Sequence, residues 1–382
     1  MHIVWVNEKA DFVGGAERYV ASTASHLRER GHQCTLLYRA GTWVAPKFAR
    51  NFDGMFPMVD VGRQLRELGP DVIYVHQLRG VDALRPFAES SYPVVRFIHD
   101  HRLMCLREHK ITTIGKRTCS RVVGAGCYAC LGFVTRGEKS PIRFRGLSAL
   151  RNELSMNHGL RRILVGSEYM RQHVLQHGFL PARVRMIPLY VDPMPVPAVA
   201  REPNQLLFVG SLLRGKGLDV LLRALTALPD VVRLDVLGEG SQGGVFKRTV
   251  SSLGLSARVR FLGRREPSEV RERMARCSCV VIPSREPESF SFVGPEALLA
   301  EAPVVASRVG GTGEWLHDNV TAFAVEPGCY RALARAIRKV LANEENAASS
   351  ARAGRDLVVS RFSRRAHLDG LIQQLSFAGA AA

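Results

Sequence analysis

The 382-residue chain is short of acidic residues, aromatics and long apolar runs, and each shortage excludes something. No uncharged apolar stretch approaches the ~20 residues that a bilayer-spanning helix needs. The opening His2-Ile3-Val4-Trp5-Val6 reads as a first strand and lacks the charged, apolar and cleavage regions of a signal peptide. The expectation is a cytoplasmic protein, at most peripheral to the inner face of the cell membrane. Asp-x-Asp occurs nowhere, so catalysis through a carboxylate-held metal is not expected. The G-x-x-x-x-G-K-[ST] order is missing too, which excludes a Walker A loop. Eight cysteines do not make a disulfide scaffold in an intracellular chain of this length. Acid is the conspicuous deficit: 35 acidic against 53 basic residues leave +18. Residues 102–151 hold 11 basic residues and only Glu108 and Glu138 as acids. Such a stretch suits nucleic acid, an anionic membrane surface or a phosphorylated substrate, or is simply a solvated basic face.

What is present is regular alternation. Strand-like runs at 2–6, 33–38, 71–75, 94–98, 162–165 and 184–188 are separated by helical patterns such as 16–30 and 168–176. A second series follows at 206–209, 233–237, 259–262, 280–283, 304–307 and 322–325. This is the signature of βαβ units and parallel sheets. Between the series, Val191-Asp192-Pro193-Met194-Pro195-Val196-Pro197 can continue neither a helix nor a central strand. The expected organisation is α/β: a domain over 1–190, with a Cys-rich basic insert at about 101–140, and a linker over 191–205. A second domain spans 206–360, and a C-terminal helix spans 361–382. Two Rossmann-like domains with parallel sheets facing a central cleft follow.

Chemistry gathers after the strands. Glu288 and Glu296 stand eight apart across a strand-to-helix junction, at the edge where open α/β sheets bind ligands. A helix N-terminus there suits a diphosphate, and carboxylates accept hydrogen bonds from sugar and ribose hydroxyls. The plain alternative is two surface glutamates beside a helix cap. Gly14 and Gly15 fill the first βα turn, and Gly210 to Gly217 the turn opening the second series, with Arg214 and Lys216 as cations. Paired glycines let a bound group approach the backbone, although turn geometry alone also calls for them.

Gly14-Gly15-Ala16-Glu17, the run from Gly210 to Gly217, and Glu288 with Glu296 together resemble the retaining glycosyltransferases of family 4, which have the GT-B fold. The resemblance covers almost the whole chain. It implies a nucleotide-diphosphate sugar held mainly by the second domain, and a sugar or lipid-linked acceptor held by the first. Carried over by position, Glu288 lies near the donor sugar, Glu296 binds the ribose hydroxyls and Lys216 the phosphates. Gly14 and Gly15 close over the donor and His99 stands beside the reacting sugar; Ser289 and Phe290 are expected at the donor site too, with Arg214 supplying from a different position the charge of the arginine that Ser211 replaces. Family catalysis needs no strong protein base: the leaving phosphate accepts the acceptor's proton, and positioning and charge stabilisation do the rest. Cell-surface polysaccharide or glycolipid assembly is the expected setting. This chain departs from the family pattern at Ser211, where an arginine is usual, and at Ser291 and Glu301, where glycines are common.

Cys105, Cys119, Cys127 and Cys130 fall within the basic stretch. Four thiolates suit a closed tetrahedral zinc site, and an iron–sulfur cluster is allowed by ligand count. Unpaired thiols, a disulfide or a redox role are the alternatives. Downstream, residues 142–152 mix arginines with Phe144, Leu147 and Leu150, as a membrane-surface segment or a core helix with a wet basic side would. Other readings of the chain are a GT-B epimerase or phosphorylase, a nucleic-acid-binding protein, and a non-catalytic GT-B scaffold. No recognised nucleic-acid module is present, so nucleic acid is not expected as a partner.

Overall fold

The computed structural model describes residues 1–113, 117–135, 143–192 and 199–380. Pro193, Pro195 and Pro197, on which the linker reading rests, lie outside the described residues. So do Glu138 of the basic stretch and Ile142 of the arginine-rich segment. The chain forms two units, Met1–Leu189 with Arg365–Ala382, and Tyr190–Arg364.

The first unit holds a seven-stranded parallel sheet. Its strands are β1 (His2–Asn7), β2 (Gln33–Arg39), β3 (Gly54–Met58), β4 (Val72–Val75), β5 (Val94–Ile98), β6 (Arg162–Val165) and β7 (Val184–Met186). They lie in the order 3-2-1-4-5-6-7. Ile3, Val4, Trp5 and Val6 are fully buried, which is why β1 reads as an unbroken apolar run. The helix Gly15–Glu29 buries Val20, Ala24 and Leu27, spaced to share one face. β3 has no counterpart in the sequence expectation, because Pro57 demotes a strand reading. As an edge strand it pairs only with β2, and the sheet tolerates the proline there. The final helix, Arg364–Ala380, belongs to this unit: His367 Nδ1 contacts Pro188 O at 2.7 Å and Nε2 the Tyr19 hydroxyl at 3.0 Å.

The second unit holds six parallel strands: β8 (Glu202–Val209), β9 (Arg233–Leu237), β10 (Val259–Gly263), β11 (Cys277–Ile282), β12 (Val304–Ser307) and β13 (Phe323–Val325). Their order is 10-9-8-11-12-13, so, as in the first sheet, the unit's first and fourth strands are neighbours. The order reverses between β8 and β11, and such a switch point opens a crevice at the carboxyl ends of the strands. Both units are Rossmann-like.

Candidate functional site

In the second unit, the turns after β8 and β11 meet at that switch point. The chain leaves β8 through a short 3-10 turn, Arg214–Lys216, ended by Gly217 at φ 73°. A Cβ on Gly217 would stand 1.9 Å from the carbonyl oxygen of Pro283, so only glycine lets the two turns touch. The Arg285 and Glu286 amides both donate to Gly215 O, at 2.8 and 3.2 Å. Arg285 pairs with Asp219 on the helix that follows Gly217. The result is a fixed ion pair: Lys216 Nζ donates to both oxygens of Glu288, at 2.7 and 2.8 Å. Ser284 Oγ donates to Glu288 Oε1 at 2.6 Å. On the other side, the Gly311 amide donates to Glu288 O at 2.7 Å, and a Cβ on Gly310 would lie 2.2 Å from that same oxygen.

Burial disfavours the Lys216 ammonium, but Glu288 and then Glu286 outweigh it and hold its pKa above the usual lysine value. Glu286 is displaced upward, by burial first and also by Glu288, against the pull of Lys216. Lys216 and Glu288, matched separately in the sequence, are thus brought together. Ser284, Glu286 and Gly310 complete the arrangement and lie outside the motifs that carry the resemblance. The Pro-Ser and Gly-Gly pairs that follow two strands are the only sequence signals for them.

Other expected donor residues are placed differently. Arg214 is exposed, its carbonyl accepts from the Gly217 amide at 3.1 Å, and its side chain makes no hydrogen bond or ion pair among the described residues. Phe290 is 1% exposed, its ring against Phe292 and Phe362 and its carbonyl accepting from Trp315 Nε1 at 2.8 Å; it is a core anchor. Ser289 is half-buried beside it. Glu296 stands half-buried in the first turn of the helix Val293–Leu299.

At the carboxyl edge of the first sheet, Gly14 and Gly15 are exposed. Gly14 is extended (φ −156°) and caps the helix Gly15–Glu29 without a side chain, leaving the helix's first amides uncovered. His99 follows β5, and its Nε2 shares a 2.9 Å hydrogen bond with His76 Nδ1. Aromatic rings of Tyr19 and Phe97 pack on it at 5.3 and 4.5 Å. Burial lowers the His99 pKa to about 3, with Asp100 opposing and Arg102 and Arg96 assisting. At neutral pH His99 is therefore an uncharged hydrogen-bonding group. Glu108 lies within 3.3 to 3.7 Å of Arg79, Arg145 and Arg102.

Comparison with known proteins decides the family. Residues 13–194 match Glycosyltransferase Family 4, and residues 194–357 match Glycosyl transferases group 1. A D-inositol 3-phosphate glycosyltransferase of Mycobacterium bovis is 31% identical over 341 residues, 81% of this chain and 67% of that protein. The chain belongs to the GT-B glycosyltransferases related to family 4. An uncharacterized glycosyltransferase of Methanocaldococcus jannaschii is 34% identical over 36% of this chain and 38% of its own length. The chain thus spans between 38% and 67% of these two curated relatives. The structure of Anabaena HepE with UDP and glucose superposes with a TM-score of 0.77 at 20% identity, covering 99% of this chain and all of HepE; it shares the fold.

The metal expected in this glycosyltransferase's insert is overturned. Cys105, Cys119, Cys127 and Cys130 are free thiols, and no group of three or more His, Cys, Asp or Glu among the described residues is arranged to hold a metal ion. The physical reason is Lys110. It is 1% exposed, donates to Arg121 O, and lies within electrostatic reach of Cys119, Cys105 and Cys127. Burial lowers its pKa and the thiols oppose that. An ammonium among the sulfurs repels the dication that a zinc site needs. Cys130 instead faces Thr113 Oγ1, 3.9 Å from its sulfur. Further along, Leu147 and Leu150 are buried in the helix Leu147–His158, so the membrane-surface reading of that segment keeps only Phe144, which is 73% exposed. Among the described residues no helix is long and apolar enough to cross a membrane.

Proposed function

We propose that this protein transfers a sugar from a nucleoside-diphosphate donor to an acceptor hydroxyl with retention of anomeric configuration. The observation that carries the reading is the Lys216–Glu288 pair, held by Ser284 and two glycine contacts at the switch point of the second sheet. HepE, similar in fold, was crystallised with UDP and glucose, which supports a nucleotide donor.

In this proposal the diphosphate draws Lys216 away from Glu288. The ammonium then stabilises charge developing on the leaving phosphate, and the freed carboxylate accepts hydrogen bonds from the sugar hydroxyls. Glu296 accepts from the ribose. The leaving phosphate oxygen takes the acceptor's proton, so His99 acts as a neutral hydrogen-bonding group of the acceptor-side unit rather than as a base. Lys216 supplies the charge stabilisation that other transferases obtain from a metal held by Asp-x-Asp. The acceptor is a sugar or a lipid-linked saccharide of cell-surface polysaccharide or glycolipid assembly. The protein works in the cytoplasm, in peripheral contact with an anionic membrane through the arginine-rich segment at Phe144.

A panel of nucleotide sugars is screened for thermal stabilisation, and the stabilising donor is then used for transfer with excess chelator present. NMR of the product should show the anomeric configuration of the donor. An inverted anomer sinks the retaining mechanism; loss of activity on chelation sinks metal independence.

A further inference from the structure

The switch-point shell holds one more carboxylate than the donor chemistry described above uses. Glu286 is half-buried on the loop after β11 and accepts no hydrogen bond among the described residues. Its carboxylate lies against the backbone of Gly215, where an added Cβ would stand 2.0 Å from Oε2. The double clasp of the Arg285 and Glu286 amides on Gly215 O fixes that loop. The carboxylate therefore lies beside the turn that carries Lys216.

Charge is the difficulty this raises. The groups facing Glu286 are Lys216 and Glu288, while Arg285 on the same loop is already paired with Asp219. One ammonium, Lys216, thus faces two carboxylates before any ligand enters. A nucleotide-sugar diphosphate adds two negative charges and engages Lys216, so the two glutamates must share their ammonium with the ligand. A carboxyl group in this position is relieved by binding a proton. Of the two, Glu288 keeps the Ser284 hydrogen bond, whereas Glu286 accepts none among the described residues and is already displaced upward by burial.

We infer that Glu286 is a third donor-site carboxylate, which takes up a proton from solvent as the nucleotide sugar binds and then donates a hydrogen bond to the bound diphosphate or its sugar. The inference rests on the donor-site reading above. No covalent bond changes in this step; one proton moves from bulk water to a Glu286 carboxylate oxygen. The consequence is a donor affinity that weakens as pH rises, by up to about tenfold per pH unit for one linked proton.

Calorimetric titration tests it, with UDP-glucose, ADP-glucose and GDP-glucose as probes. These diphosphate diesters lack the phosphomonoester ionisation near about pH 6, so the probes do not themselves titrate across the range used. Repeating each titration in buffers of different ionisation enthalpy counts the protons exchanged. The expected result is net proton uptake that grows as pH falls, abolished in Glu286→Gln, whose affinity becomes independent of pH. Circular dichroism of the variant checks its fold, and the proton count of the wild type stands without it. Binding with no proton uptake overturns the inference and leaves the donor site intact. Equal uptake by Glu286→Gln overturns it as well, because the proton then sits elsewhere. Binding of none of the three sinks the donor-site reading and this inference together.

Discussion

The carboxyl edges of the two sheets are built from different materials. In the second unit the edge is backbone packed on backbone, with Gly217 against Pro283 and Gly310 against Glu288, holding one ion pair. In the first it is a stack of rings, with Trp5 parallel to His76 at 5.1 Å and His76 bonded to His99. Eleven of the twelve histidines fall in the first unit; only His317 is in the second. The contrast teaches that one edge is set locally, by what glycine permits, and the other by neutral imidazoles that burial keeps unprotonated. The two should therefore fail under different insults.

Removing charge from the second edge should have the largest effect. Lys216→Ala and Glu288→Gln are each expected to lower kcat/KM at least ~100-fold, the scale for losing one preorganised electrostatic group. Near-normal turnover of both with the true donor would remove the proposed mechanism. Gly217→Ala attacks the backbone instead. It combines a Cβ 1.9 Å from a carbonyl oxygen with φ 73°, and a loss of roughly 2–3 kcal/mol is expected in urea unfolding. Gly14→Ala in the first unit should cost less than about 1 kcal/mol, since the residue is extended and its nearest neighbour lies 3.4 Å from a built Cβ. Equal losses would erase the distinction between the edges.

Acid should break the first unit. An unfolded chain protonates its histidines below about pH 6.5. Folded His367 resists until about 4 and His99 until about 3, both through burial. The unfolded state therefore binds more protons as pH falls, and stability drops progressively from about 6.5 through those values. At pH 5 each of these two histidines costs about 2 kcal/mol. His367→Gln should flatten the fall by about 1.4 kcal/mol per pH unit between about 4 and 6.5. Hydrogen exchange at pH 5 should show amides of the first unit opening before those of the second. Opening of both together would show that the histidines do not set the difference.

How much could be read beforehand follows the same division. Parallel strands buried on both faces announce themselves as apolar runs, and twelve of the thirteen strands described in the two parallel sheets appear in the sequence at nearly their final positions. β3 escaped because Gly54 and Pro57 obscure an edge strand. Glu288, Lys216 and Gly217 were legible because each follows a strand in a spacing that a resemblance picks out. Their mutual contact was not, since 72 residues separate Lys216 from Glu288. The cysteines misled because spacing counts sulfurs but does not show what lies among them, here a buried lysine five residues beyond Cys105. His76 and Tyr19 carried no signal at all: their roles exist only once β4, the first helix and the last helix are packed.

The smallest effect tests the departures from the family pattern. Ser291 and Glu301, where glycines are common in the family, both adopt left-handed backbone, at φ 66° and 54°. Side chains rarely accept that region, and each residue stores of the order of 1 kcal/mol by doing so. Ser291→Gly and Glu301→Gly relieve the strain but enlarge the freedom of the unfolded chain, which returns part of the gain. A net stabilisation of about 0.5 kcal/mol apiece is expected in urea unfolding. Ser291 lies between Glu288 and Glu296 on the edge that glycine builds, whereas Glu301 follows the helix Val293–Leu299 and faces Arg355 at 3.6 Å. If strain at the edge serves to hold the carboxylates in place, Ser291→Gly should gain stability and lose turnover, while Glu301→Gly gains stability alone. Identical turnover for the two variants would mean that the second edge is fixed by Gly217 and Gly310 without help from the serine.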